Sequence, residues 1–170
     1  KIQLSISNTM AFIDDFSIWY IRRSRDRVGS SAENNKDKQG FYNTSHTVLV
    51  TLEKLLAPIT PFISEEIYKS LTKLESVHLE NWPEEDKNLI NEPLENEMAK
   101  ARLLVEAAHA FRKEAGIKVR IPDREMSYSG PEELSSEALY IVKAEINVYE
   151  LNFTKKSDIY SVIAKTSDDN

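Results

Sequence analysis

The chain has 170 residues, 41% of them apolar and 29% charged, with four glycines, no cysteine and a formal net charge of -6. Those proportions describe a folded, helix-rich protein rather than a disordered one, and they exclude disulfides and thiolate metal sites. No apolar run is long enough to span a bilayer as a helix.

The opening segment "KIQLSISNTM" lacks an initiator Met and any signal-peptide pattern, so the expectation is a fragment of a longer cytosolic protein. From residue 2 to 28 the apolar residues Ile2, Ile6, Met10, Ile13, Phe16 and Tyr20 recur at spacings of three and four, which predicts one long helix. Its end reads "WYIRRSRDR". Continued helically, this places Trp19, Arg23 and Arg27 on one stripe and Ile18, Arg22 and Arg25 on the next. The polar stretch "GSSAENNKDKQG" at 29–40 predicts a loop.

A second helix is predicted over 41–56, with Val48, Leu52 and Leu55 on its stripe. Pro58 ends it, and Thr60 before Pro61 predicts an N-cap with proline at the first helical position of a third helix over 61–72. "ESVHLENWPEED", 75–86, reads as an extended connection. Pro93 opens a fourth helix with a stripe of Leu94, Met98, Ala101, Val105, Ala108 and Phe111, closed by Gly116 in the left-handed region. The pattern to this point is an antiparallel helical bundle, residues 1–116. Residues 117–170 then read as a small α/β appendage. "IKVRIP" and "REMSYSG" are predicted strands, "PEELSSEALYIVKAEI" is a helix with Pro131 in its first turn, and "NVYELNF" is a returning strand. The tail from Thr154 is expected to fray, although "IYSVIAK" can add a strand. The predicted fold class is mainly α, a bundle followed by an α/β appendage.

Signs of catalysis are missing. His46, His78 and His109 are far apart in sequence with no metal-ligand spacing, and there is no phosphate loop or nucleophile elbow. Glu65 and Glu66 are adjacent, so on a helix they diverge instead of forming an acid/base pair.

Charge, by contrast, is segregated. Residues 65–97 carry ten acids against three lysines, whereas 18–40 and 102–124 each carry six basic residues against three acids. Binding to polyanions follows local potential rather than net charge. A purely structural account of the arginine block covers two residues: Arg22 pairs with Asp26, and cations suit a helix C-terminus. Trp19 and Tyr20 read as large core residues with polar tips. The four arginines together favour phosphate contacts or stacking on unpaired bases. Arg112, Lys113, Lys118 and Arg120 make a second basic zone.

Five blocks, "FIDDFSIWYIRRSRDR", "LEKLLAPITPFISEEIY", "SVHLENWPEED", "FRKEAGIKVRIP" and "AEINVYELNF", occur in that order over residues 8–153. Together they closely resemble the C-terminal part of isoleucyl-tRNA synthetases, class I aminoacyl-tRNA synthetases. The resemblance implies an anticodon-binding helical bundle that docks on the anticodon stem-loop of isoleucine tRNA. A separate catalytic domain of the same parent chain would use ATP to activate and transfer isoleucine. Neither of that domain's signatures, "HIGH" and "KMSKS", is present, so the segment itself is expected to carry no catalytic residue and no cofactor. The resemblance assigns tRNA binding to Arg22, Arg23, Arg25 and Arg27, extended by Lys113, Lys118 and Arg120. Three departures stand out: Val28 and Gly29 replace an aromatic pair, Ile121 replaces a usual glutamine, and a helix preceding the first block is absent or cut short. The last implies exposed apolar surface on the first helix, or its cover by another copy. Two readings from other classes stay open: a protein-interaction module using the acidic middle segment, and a structural strut.

Overall fold

The computed structural model describes residues 2–29 and 33–164. Its elements are α1 (Ile2–Asp15), a π-helical segment (Phe16–Ile21), α2 (Arg25–Val28), α3 (Asn35–Leu56), α4 (Pro61–Thr72), 3₁₀ turns at Val77–Leu79 and Lys87–Leu89, α5 (Glu92–Glu114), β1 (Asp123–Gly130), α6 (Ser136–Ile146), β2 (Val148–Lys156) and β3 (Ser161–Ala164). The fold is mainly α with one small sheet. Two compact units divide it, residues 1–85 and 86–170. The long helix α5, up to the expected boundary at 116, packs with α6 and β3 within the second unit.

In the first unit the predicted single helix over 2–28 is interrupted. At the aromatic run "FSIWYI" the backbone widens to π-helical pairing, with the Arg22 N–H donating to the Ser17 carbonyl at 3.0 Å. A turn at 22–24 follows before α2. Rings stack through this region: Phe12 on Phe16, Phe16 on Tyr20 at 5.4 Å, and Tyr20 on Phe41 of α3 at 5.7 Å. The extra residue in the π turn rephases the helix, so the arginine stripes expected from a regular helix do not form.

The loop predicted at 29–40 is shorter than expected. Its residues 30–32 lie outside the described residues, and α3 begins at Asn35. Asn34 caps it, its side chain accepting from the Asp37 N–H at 3.1 Å. At α4, Pro61 does occupy the first turn, but Thr60 does not cap with its hydroxyl. That hydroxyl instead bonds the Ser64 hydroxyl at 3.2 Å and the Leu56 carbonyl at 3.4 Å. The core here is Ala57, Tyr68 and Val77, with Val50 packed against it. The connection after α4 is tied down by Glu65, which accepts from the Val77 N–H and the Ser76 hydroxyl, both at 2.9 Å.

The first helix keeps its apolar face in solvent: no described residue of α1 is buried, and Leu4 and Met10 are 65% and 61% exposed. An apolar groove of about 350 Å³ runs between α1 and α3, lined by Phe12, Val48, Thr51 and Leu55 among others.

The second unit is a β1–α6–β2 crossover with α5 packed on it. The sheet order is β2-β1-β3, β1 parallel to β2 and antiparallel to β3. Parallel neighbours need a crossover element, which α6 supplies. Ala101, Leu104, Val105 and Ala108 of α5, Val142 and Ile146 of α6, and Met126 and Tyr128 of β1 form the buried interior. Two expectations are corrected. The segment "IKVRIP" is turns rather than a strand, because the buried Arg112 takes carbonyls a ladder would need. Pro131 does not start the helix: α6 begins after Ser135, whose hydroxyl accepts from the Ala138 N–H at 3.2 Å. Residues 131–135 instead form a loop held by Leu134 N–H on the Tyr128 hydroxyl at 3.1 Å and Ser135 N–H on Glu97 at 2.9 Å. The returning strand and the added strand are present as β2 and β3. The tail, expected to fray from Thr154, instead continues through the end of β2 and through β3 to Ala164; residues 165–170 lie outside the described residues. Among the described residues no helix is long and apolar enough to cross a membrane.

Candidate nucleic-acid interface

The arginine block occupies the π-helical exit, the turn and α2 of the first unit. Arg22 is exposed, and its Nε donates back to the Ile18 carbonyl at 3.1 Å. Arg23 is half-buried, whereas Arg25 is exposed and its side chain has no hydrogen bond or ion pair with a described residue. Ser24, between them, is buried at 2% exposure, its N–H bonded to the Tyr20 and Ile21 carbonyls. Trp19 and Tyr20, expected in the core, are half-buried.

Arg27 has a carboxylate partner on α3, Asp37. Its Nε donates to both Asp37 oxygens at 3.0 and 2.9 Å, and its Nη1 donates to the Ser24 hydroxyl at 3.3 Å. The expected pairing of Arg22 with Asp26 is not among the described ion pairs; the block grips α3 instead, through Arg27 and Asp37. These charge-assisted bonds hold the Asp37 carboxyl below its ordinary value and the Arg27 guanidinium above its own. Both side chains remain substantially exposed, so the contact orients the segment more than it stabilises it. Sequence reading missed Asp37 because it assigned that residue to a loop. The signal was present in Asn34 three residues before Asp37, a capping spacing.

The second basic zone lies in the other unit. Gly116, at φ 70°, ends α5 with the Ile117 N–H on the Arg112 carbonyl at 2.8 Å and the Gly116 N–H on the Lys113 carbonyl at 3.2 Å. This paired closure needs a left-handed residue, which glycine adopts without steric cost. The chain then turns through 117–121, with the Ile121 N–H on the Lys118 carbonyl at 2.9 Å. Lys113, Lys118 and Arg120 are exposed, and their side chains make no hydrogen bond or ion pair with a described residue.

Arg112 behaves differently from its basic neighbours. It is fully buried at 0% exposure, and its guanidinium donates to the carbonyls of Lys118 (3.4 Å), Ile121 (3.1 Å) and Asn147 (3.2 Å). It thereby takes carbonyls that a strand ladder at 117–122 would need, and Pro122 has no N–H to offer. That is why this segment is a turn. Nothing in the spacing of "FRKEAGIKVR" distinguishes the buried arginine from the exposed cations, because the distinction depends on Asn147, 35 residues later.

Residues 1–127 match the family described as the anticodon-binding domain of tRNA ligase. The chain is 43% identical over 148 residues to an isoleucine–tRNA ligase of Clostridium acetobutylicum, covering 84% of this chain and 14% of that protein. Against the isoleucine–tRNA ligase of Dehalococcoides mccartyi it is 45% identical over 117 residues, 65% of this chain and 11% of that one. Against that of Pyrococcus horikoshii it is 37% identical over 147 residues, 82% and 14% respectively. The chain thus spans about one seventh of the length of these curated relatives. With its family match covering three quarters of its residues, the chain belongs to the anticodon-binding domains of tRNA ligases.

Proposed function

We propose that this chain is the anticodon-binding segment of an isoleucine–tRNA ligase. It binds the anticodon stem-loop of isoleucine tRNA while the catalytic domain of the same parent chain carries out ATP-dependent aminoacylation. Its own role is binding without chemistry, and it holds no cofactor. Such a role belongs with other soluble translation machinery in the cytoplasm.

The observation that carries this reading is the arginine block, with Arg22 and Arg25 exposed and the block fixed to α3 by Arg27 on Asp37. Phosphate binding asks for guanidinium groups presented at a defined position rather than on a loose tail. Arg22, Arg23 and Arg25 contact phosphates or stack on unpaired bases, and Arg27 orients them. Lys113, Lys118 and Arg120, in the second unit, supply further phosphate contacts of their own. The identities to proteins named isoleucine–tRNA ligase support the choice of tRNA.

The test is a titration with the isoleucine tRNA anticodon stem-loop and a scrambled-loop control, each at low and moderate salt. The expected result is loop-selective binding with a steep salt dependence, lost in an Arg22→Ala, Arg23→Ala, Arg25→Ala variant. Absence of binding by a folded chain would overturn the reading and leave a structural strut.

A further inference from the structure

Four backbone carbonyls around the 117–121 turn are turned toward the Arg112 and Asn147 side chains of the same unit. Those of Lys118, Ile121 and Asn147 accept from Arg112, and that of Val119 accepts from the Asn147 side-chain Nδ2 at 3.0 Å. In a trans peptide the N–H lies opposite the C=O of the same unit. Turning the Lys118 and Val119 carbonyls inward therefore turns the N–H groups of Val119 and Arg120 outward. Neither N–H makes a hydrogen bond to a described residue, and residues 118–120 are all exposed. Two successive outward N–H groups thus stand between the Lys118 and Arg120 side chains.

We propose that this turn is a phosphate-binding loop that receives one phosphodiester of the bound RNA, and that Arg112 and Asn147 are its positioning residues. The inference rests on the RNA-binding reading above and adds to it a specific site and ligand. Adjacent backbone N–H groups in a turn form a concave anion site. The ammonium of Lys118 and the guanidinium of Arg120 add charge-assisted hydrogen bonds at its rim. Inward-facing carbonyls keep their negative ends away from the bound oxygens. The Arg112 guanidinium, buried behind the turn with backbone carbonyls as partners, adds positive potential without occupying the site. Gly116 and Asn147 both adopt left-handed backbone, at φ 70° and 54°, so the geometry of both flanks is set before any ligand arrives.

The experiment follows backbone amide resonances of the whole chain during titration with the isoleucine tRNA anticodon stem-loop and, separately, with inorganic phosphate. RNA should move the Val119 and Arg120 amide protons downfield, beyond the shifts of exposed amides elsewhere. Asn147→Gly keeps the left-handed backbone but removes the clamp on Val119. It should weaken RNA binding by about three- to tenfold, the equivalent of one ordering hydrogen bond, with the salt slope unchanged. Lys118→Ala with Arg120→Ala should instead lower the salt slope by about 0.7 to 0.9 for each phosphate no longer neutralised. Arg112→Lys keeps the charge but cannot span three carbonyls, so in a folded variant the two amide shifts should collapse. RNA binding with no shift at Val119 and Arg120 would overturn the loop while leaving the proposed function intact. Shifts with inorganic phosphate but none with RNA would make it a free-anion site and overturn the RNA assignment. No RNA binding at all, with Val119 and Arg120 silent in both titrations, would overturn both readings.

Discussion

Two long helices of similar sequence pattern end up in opposite circumstances. α1 repeats apolar residues at helical spacing, and yet none of its described residues is buried. α5 carries an equally ordinary stripe and buries Ala101, Leu104, Val105, Ala108 and even Arg112. The difference lies in partners. α5 has α6 and β3 against it, whereas α1 faces α3 across a groove. An amphipathic pattern states that a face is able to be buried, and the rest of the fold decides whether it is.

The two basic regions differ in the same way. The arginine block is fixed by an exposed ion pair, Arg27 with Asp37, which salt and a competing phosphate can weaken. The 117–121 turn is fixed from inside by a buried guanidinium. The first is adaptable and the second pre-formed.

The largest test of the helix comparison is truncation at matched residues. Leu104→Ala on α5, at 0% exposure, should cost about 2–5 kcal/mol in chemical denaturation, whereas Leu4→Ala on α1 should stay within about 0.5 kcal/mol. Equal costs would mean that α1 is packed in solution and that the contrast fails. Next in size is Gly130→Ala in the second unit. A Cβ there would meet the Tyr160 ring at 2.3 Å, so about 1–3 kcal/mol of destabilisation is expected as a lower Tm. An unchanged Tm would show that Tyr160, just before β3, yields easily and that this unit is less rigid than its packing implies.

A smaller effect depends on pH. Hydrogen bonds from Lys69 first, then from the Val77 N–H and the Ser76 hydroxyl, hold the Glu65 carboxyl down to about 2. Because the folded value lies below the unfolded value of about 4.5, this contribution is complete above pH 4.5 and is lost as pH falls towards 2. Glu65→Gln should therefore flatten the acid limb of the stability profile without abolishing it, since Glu80 and Asp37 are also shifted down. A wild-type slope retained in the variant would discard the assignment. The smallest effect belongs to the exposed pair. A double-mutant cycle on Arg27 and Asp37 should give a weak coupling that disappears in high salt. Strong, salt-insensitive coupling would make the first basic region as rigid as the second.

Much of the fold was legible. The helices at 61–72 and from 93 to the left-handed Gly116 follow from proline, glycine and the apolar repeat, which act within a few residues. The strand β2 was legible from its β-branched and aromatic content, and β1 from its alternation around Met126 and Tyr128 and its closing glycine. Of the candidate site, the basic residues could be named, but not their roles. Arg27 and Arg112 carry the same charge as their neighbours in the chain. One is committed to Asp37 and the other to carbonyls as far away as Asn147.

The sequence by itself determined the helix-rich class, the places where proline and glycine end elements, and the clustering of arginine in an acidic chain, because those properties arise from local geometry and composition. Only the tertiary structure decided which apolar faces are covered and which cation is buried. Each of those outcomes depends on a partner distant in the chain, and short-range periodicity carries no information about it.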